Sequence, residues 1–366
     1  MSPLSARITH LERSTIRSRY PRTIGRNARL GSHGSGPESQ VVILHTDSGI
    51  SGWGLVAGAV PPAEQVVGRT VVELFDPAVG TVDASVLGLD FALHDLAGQL
   101  LNLPVHQLLG ARGESSIPAY DGAIYFDDLD PQDAPTGVAA PLANCAADYA
   151  LGYRAFKLKI GRGNRWLDRA AGDARDIEVT HAVRAAYPDA HLLVDANDGY
   201  DCDGFLRYLD AVAECDLYWV EEPFLDDADD LTRLRKALDR AGSSTLIAEG
   251  ETDPDVAQLL RFAEAGVIDV VLLDIVSYGF TAWRSLLPRL ADLGVTASPH
   301  AWGVPLKTLY AAQLAAGLGN VGVVEGVPGQ TLGADTSGYR FDDGLLTVPD
   351  SPGFGIPLDP ISTPNT

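Results

Sequence analysis

Eight short apolar runs, separated by amphipathic stretches, predict a (β/α)8-type α/β barrel preceded by a smaller α+β segment. Two observations frame that reading. The first hundred or so residues pattern as antiparallel strands followed by helices, and the tail from Gly338 is punctuated by turns.

Taken in order, Gln40 to Thr46 is a β-rich run, Asp47-Ser48-Gly49 is a turn, and a short strand follows over Gly52 to Val56. Helical patterns are expected from Ala63 to Leu74 and from Val82 to Leu101. The second carries Leu87, Phe91, Leu96 and Leu100 at helical spacing, with Pro104 as its stop. The barrel strands are Ile117–Ala123, Ala155–Ile160, His191–Val194, Leu217–Val220, Thr245–Ala248, Val267–Leu273, Val295–Ala297 and Val321–Val324. Helical stretches such as Ile177–Ala186 and Asp255–Ala265 lie between them, and eight such units fit a closed barrel better than an open sheet. In the tail, DDGLLTVPDSPG reads as a hairpin. The resulting divisions are 1–115, 116–330 and 331–366.

Of the 366 residues, 46% are apolar and 21% charged, an ordinary globular composition. A net charge of −22 argues against nucleic acid or an anionic membrane as partner. No apolar run approaches the roughly 20 residues of a membrane span, and the N-terminus lacks the apolar core of a signal peptide. A cytoplasmic protein is expected, with Cys145, Cys202 and Cys215 as reduced structural thiols.

A barrel enzyme carries its chemistry at the C-terminal ends of its strands. The second strand ends Lys157-Leu158-Lys159, and alternation puts both lysines on one side. In a closed lumen, repulsion and desolvation would lower one pKa and yield a base; a solvated pair is the plainer alternative. The next three strand ends supply Asp195, Glu221 with Glu222, and Glu249 with Glu251. One acidic strand end is ordinarily a helix cap, but three in succession favour hard-oxygen ligation of Mg2+. The sixth strand ends in Asp274 and the seventh in His300, a pairing that sets imidazole tautomer and basicity. Glu325 closes the eighth.

The motifs FKLKIG, VDAND, WVEEP, AEGE, LLD and SPHAWG, taken in that order, resemble the mandelate racemase subgroup of the enolase superfamily. HTDSGISGWG, LDFALHDLAGQLLNLPVHQLLG and DDGLLTVPDSPGFG resemble its capping domain, built from both chain ends around a modified TIM-like barrel. The resemblance implies Lys159 as base on one substrate face, with Lys157 lowering its pKa and touching the substrate carboxylate. It implies Asp195, Glu221 and Glu251 as ligands of one Mg2+, and His300 paired with Asp274 as acid or base opposite. Asn197 and Glu325 would hold the substrate. Where many relatives carry glycine two residues before the last ligand, this chain has Glu249, expected to face the lumen and either neutralise Lys157 in a buried ion network or modify the site.

The implied activity is removal of the proton α to a carboxylate through an enediolate. Dehydration of an acid sugar to a 2-keto-3-deoxy acid is the main expectation. Racemisation or epimerisation of a 2-hydroxy acid and lactone cycloisomerisation use the same residues, and a non-catalytic relative is the alternative of another class. A zinc hydrolase would lack its histidine ligands here. The resemblance also implies a small-molecule carboxylate partner and a homo-oligomer, dimer or octamer. Specificity is assigned to a loop over Arg17–Gly36, holding Arg19, Arg22, Arg26, Arg29, Tyr20 and His33. Arg22 and Tyr20, with Trp302 on the wall, are the expected substrate contacts; a solvated arginine-rich loop is the plain reading. His45, His94 and His106 are expected to be structural.

Overall fold

The computed structural model describes residues 2–129 and 137–359. Three antiparallel strands open the chain: β1 (Ile8–Arg19), β2 (Glu38–Thr46) and β3 (Ser51–Leu55). A small ribbon, β4 (Phe75–Asp76) with β5 (Gly80–Thr81), precedes α1 (Asp90–Leu101) and the short α2 (Val105–Leu108). Helix α1 is buried on nearly every face and packs against β3, and its polar side chains Asp90 and Asp95 are hydrogen-bonded inside.

Two helix expectations fail here. Ala63–Leu74 forms only separate 3-10 turns at Ala63–Gln65 and Val71–Glu73. The segment between them makes only isolated turn bonds of its own and is tied to β1, through Gly68 N–H to the Ile8 carbonyl and Ile8 N–H to the Arg69 carbonyl. Val82–Leu101 is likewise split: a 3-10 stretch over Ala84–Leu89, with Val86 outside helical dihedrals, precedes α1. The stop is Asn102, left-handed at φ 54°, two residues before Pro104.

The barrel strands are β6 (Ser116–Ile124), β7 (Ala155–Lys159), β8 (His191–Asp195), β9 (Leu217–Glu221), β10 (Leu246–Glu249), β11 (Val270–Val271), β12 (Thr296–Ala297) and β13 (Val324–Gly326). They pair in parallel in chain order, β13 returns to β6, and an Ala297–Val321 bridge joins β12 to the last segment. Around them lie α3 (Ala139–Ala150), α4 (Arg169–Ala186), α5 (Cys202–Ala211), α6 (Ala228–Ala241), α7 (Val256–Glu264), α8 (Ile275–Tyr278), α9 (Phe280–Asp292) and α10 (Pro305–Leu318). Among the described residues no helix comes after β13, so the barrel has seven strand–helix units and a bare eighth strand.

That last strand leads into β14 (Gln330–Leu332), which pairs with the end of β1. The expected tail hairpin is β15 (Arg340–Asp342) with β16 (Leu345–Thr347), and β16 adds to the start of β6 rather than to the first domain. Beyond the hairpin the chain returns to the first domain. There Asp95 of α1 accepts N–H bonds from Trp53 and Phe354, and the Trp53 indole donates to the Ile356 carbonyl at 2.7 Å. The three cysteines are buried thiols. No helix among the described residues is long and apolar enough to cross a membrane.

Candidate active site

The register of three neighbouring strands assembles the site. Lys159 lies beside Asp195, and Asp195 beside Glu221, so all three side chains enter the lumen on one level. Beneath them Tyr120, Ala155, Leu193, Trp219 and Leu272 fill the barrel with apolar side chains. Above, oxygens of Asp195, Glu221 and Glu251 lie within 4.8 Å of one another. Glu251 Oε2 is buried without a hydrogen-bond partner. A hard-oxygen trio with an unsatisfied lone pair fits Mg2+.

Glu249 does not share this lumen. Leu246 and Ala248 pair with Trp219 and Glu221 and face inward, so Glu249 faces out. Gly250, at φ 110°, breaks the alternation and turns Glu251 back to the site. Glu249 instead meets Asp226, Glu222 and Asp198; burial, then these three charges, push its pKa well up. Its expected pairing with Lys157 is therefore overturned.

Lys157 Nζ reaches Glu221 at 2.7 Å, Glu325 at 2.9 Å and Asp195 at 3.4 Å, while Lys159 Nζ bonds Asp195. Burial lowers both lysine pKa values, but the surrounding carboxylates more than reverse it, Glu221 and Glu325 for Lys157 and Asp195 for Lys159. The expected depression of Lys159 by Lys157 is thus outweighed by anions. Burial alone would raise the Glu325 pKa, yet Lys157 and His300 hold it at about 2, which keeps it a carboxylate. Its place depends on Gly122, where a Cβ would stand 2.7 Å from Glu325 Oε1.

Opposite Lys159, His300 Nδ1 is 3.0 Å from Asp274 Oδ2, and its Nε2 lies 3.4 Å from Glu251 without a hydrogen-bond partner. Burial disfavours the imidazolium, while Glu251, Glu325 and Asp274 favour it, with a net upward shift. Asn197, left-handed at φ 43°, buries an unpartnered Oδ1 beside Asp195, whose Oδ1 accepts the Asn197 N–H.

The loop from Tyr20 to Gly36 packs over this end of the barrel; Arg17 to Arg19 still belong to β1. Tyr20 donates to the Gly303 carbonyl at 2.7 Å and stacks on Trp302, whose ring also lies 4.9 Å from Tyr125. Arg22 is committed elsewhere: its guanidinium bonds Asp148 of α3 and the Ala123 carbonyl. Tyr125 escaped the sequence reading, although its ring lies 5.3 Å from Lys159 Nζ. A register shift between Asp121 and Ile124 defeats counting by twos along β6. His33 sits edge-on to Tyr125, its Nδ1 bonded to the Gly25 carbonyl.

Residues 141–362 match the enolase C-terminal domain-like family. The chain belongs to that family. A D-galactarolactone cycloisomerase of Agrobacterium fabrum is 29% identical over 74% of this chain and 71% of its own. A D-xylonate dehydratase of Haloferax volcanii is 27% identical over 76% and 68%. A galacturonate dehydratase from a Geobacillus species, 32% identical, superposes with a TM-score of 0.92 as a mutant complexed with Mg, covering 97% of this chain and 94% of its own. The same enzyme complexed with D-galacturonate and 5-keto-4-deoxy-D-galacturonate superposes with a TM-score of 0.91, covering 97% and 95%. These relatives are lyases and isomerases, and the chain is an enzyme of those classes.

Proposed function

We propose that the protein dehydrates a hydroxylated sugar acid, using one Mg2+ held by Asp195, Glu221 and Glu251. The observation that carries this reading is the strand order: Lys159 ends β7, the trio follows β8 to β10, and the Asp274–His300 pair comes after β11 and β12, so the two groups flank the trio. The likeness to a dehydratase of D-galacturonate over 97% of the chain supports it. The barrel, within residues 116–330, holds the reacting groups, and the loop from Tyr20 to Gly36 packs over them.

Held by Asp195, Glu221 and Glu251, Mg2+ would supply a Lewis acid for the substrate carboxylate, and Asp195, engaged as its ligand, would no longer hold Lys159 protonated. Lys157 faces the same carboxylate and offsets its growing charge. Lys159, as the free amine, takes the α-proton; the C–H bond breaks and its electron pair enters the carboxylate. As that pair returns, the C–O bond to the β-hydroxyl breaks and His300 gives its proton to the departing oxygen, releasing water. The enol left behind tautomerises to the α-keto acid. Asn197 and Trp302 bound the substrate, with Tyr20 behind Trp302, while Arg22 secures the loop through Asp148.

Proton NMR of the enzyme with Mg2+ in D2O, over a panel including D-galacturonate, D-xylonate and 2-hydroxy acids, tests this. Loss of the α-proton signal with a new keto-acid product is the expected outcome. Exchange or inversion without a keto acid would make the enzyme an epimerase. Ring opening of a lactone alone would make it a cycloisomerase, the activity of the Agrobacterium relative.

A further inference from the structure

The chain contains 27 basic residues but only four lysines, at 157, 159, 236 and 307. Two of them face the carboxylate trio. A third, Lys307, stands just behind it. It occupies the first turn of α10, where a cation opposes the helix dipole and does nothing for the helix itself. Its Nζ lies 2.6 Å from Asp274 Oδ2, the same oxygen that faces His300 Nδ1 at 3.0 Å. Asp274 Oδ1 is meanwhile occupied by the N–H groups of Val276 and Ser277, at 2.9 and 2.8 Å. Four donors therefore converge on one carboxylate, and it has no freedom to rotate.

Lys307 also donates to the Trp302 carbonyl at 3.3 Å. Residues 300–303 are thus gripped from two directions. Tyr20 of the loop holds Gly303 and stacks on Trp302 from the front; Lys307 holds Trp302 and Asp274 from behind. The ammonium reaches this place from the seam between cap and barrel, a groove it lines with Gln40, Val56 and Val276. A compact, three-donor point charge suits the position; the planar guanidinium used at most other basic positions of this chain would not serve two such angled acceptors.

We infer that Lys307 is a positioning residue, which fixes Asp274 and through it aims His300 Nε2 at the group that receives its proton. The inference rests on the proposed dehydration, because it assigns Lys307 to the His300 half of that reaction and not to the Lys159 half. Lys307 itself touches no reacting atom.

The two halves are separable by experiment. Full-length Lys307→Met and Lys307→Arg, with Mg2+, are compared with wild type in D2O on D-galacturonate or the panel acid that wild type turns over fastest. Both keto-acid formation and α-proton exchange are followed, along with the melting temperature. Lys307→Met is expected to slow product formation by about 10- to 100-fold, the scale on which loss of an outer partner behind a metal-held histidine acts. Exchange on the Lys159 side should fall by about threefold or less, and Lys307→Arg should recover part of the turnover. If exchange and product formation fall in parallel, or neither changes, the inference is overturned and Lys307 is a cap–barrel ion pair. Should Lys307→Met not fold, Lys307→Gln, which keeps a donor to Asp274 but no charge, provides the same comparison. A wild type with neither exchange nor product would sink the dehydration reading itself, whatever the variants do.

Discussion

Asp195 bonds Lys159, lies 3.4 Å from Lys157 and offers an oxygen to the same pocket as Glu221 and Glu251. Burial by itself would raise its pKa; the two lysines bring it down to about 2, so at neutral pH it is a charged ligand in waiting. A ligand that binds only the native state stabilises by mass action, about 2.7 kcal/mol at a hundred times its Kd. Wild type should therefore melt higher as Mg2+ is added, and Asp195→Asn should lose most of that rise. An unchanged Mg2+ response in the variant would remove Asp195 from the ligand set. At this scale the sequence was informative wherever strand alternation holds: Lys157, Lys159, Asp195 and Glu221 lie where counting by twos puts them. It misled at Glu249, because Gly250 reverses direction within one residue, and at Tyr125, because β6 is irregular. It also misjudged the lysine pKa values, since spacing along one strand says nothing about how closely carboxylates of other strands approach.

Among elements, the loop over the site is secured by Arg22, whose partner Asp148 belongs to a buried carboxylate group with Asp121. Arg22→Ala leaves those acids without their cation and should cost about 3 kcal/mol in unfolding free energy, the scale for breaking a buried pair. Denaturant titration reads it, and a cost below about half a kcal/mol would show the pair to be dispensable. The clasp at Asp95 has a pH signature. Burial raises its pKa to about 6 against the pull of the Phe354 and Trp53 N–H groups. Between the unfolded value near 4 and that figure, the folded state binds more protons, so the clasp's contribution is greatest at low pH and declines as pH rises through 6. The stability gap between wild type and Asp95→Ala should accordingly narrow by about 2 kcal/mol from pH 4 to pH 7. A gap that widens would contradict it. This clasp was invisible in the sequence because its partners are more than 250 residues apart. The failed helix at Ala63–Leu74 has the same origin: local pattern cannot reveal that β1 claims the backbone bonds.

For the molecule as a whole, a net charge of −22 surrounds a site that, on the proposed function, admits an anion. The lysines in the lumen are matched by carboxylates, so the long-range field remains repulsive. Salt screens that repulsion over about 8 to 10 Å at 0.10 to 0.15 M. Raising NaCl from low concentration should increase kcat/KM for a sugar acid, mainly through faster encounter; a steady fall would point to an attractive patch at the mouth. The overall division into strands, helices and barrel was legible because eight apolar runs need one another to be buried. The bare eighth strand was not, because an apolar run reads the same whether a helix or a return to the cap comes after it. That strand continues into β14, whose ladder on β1 ends at Arg19, while Tyr20 and Ser18 are tied to Ser35 and Pro37 on the other flank. On the proposed function, that arc is the segment whose exchange would change the acid admitted, provided the replacement keeps the Tyr20–Gly303 and Arg22–Asp148 bonds that hold it to the barrel.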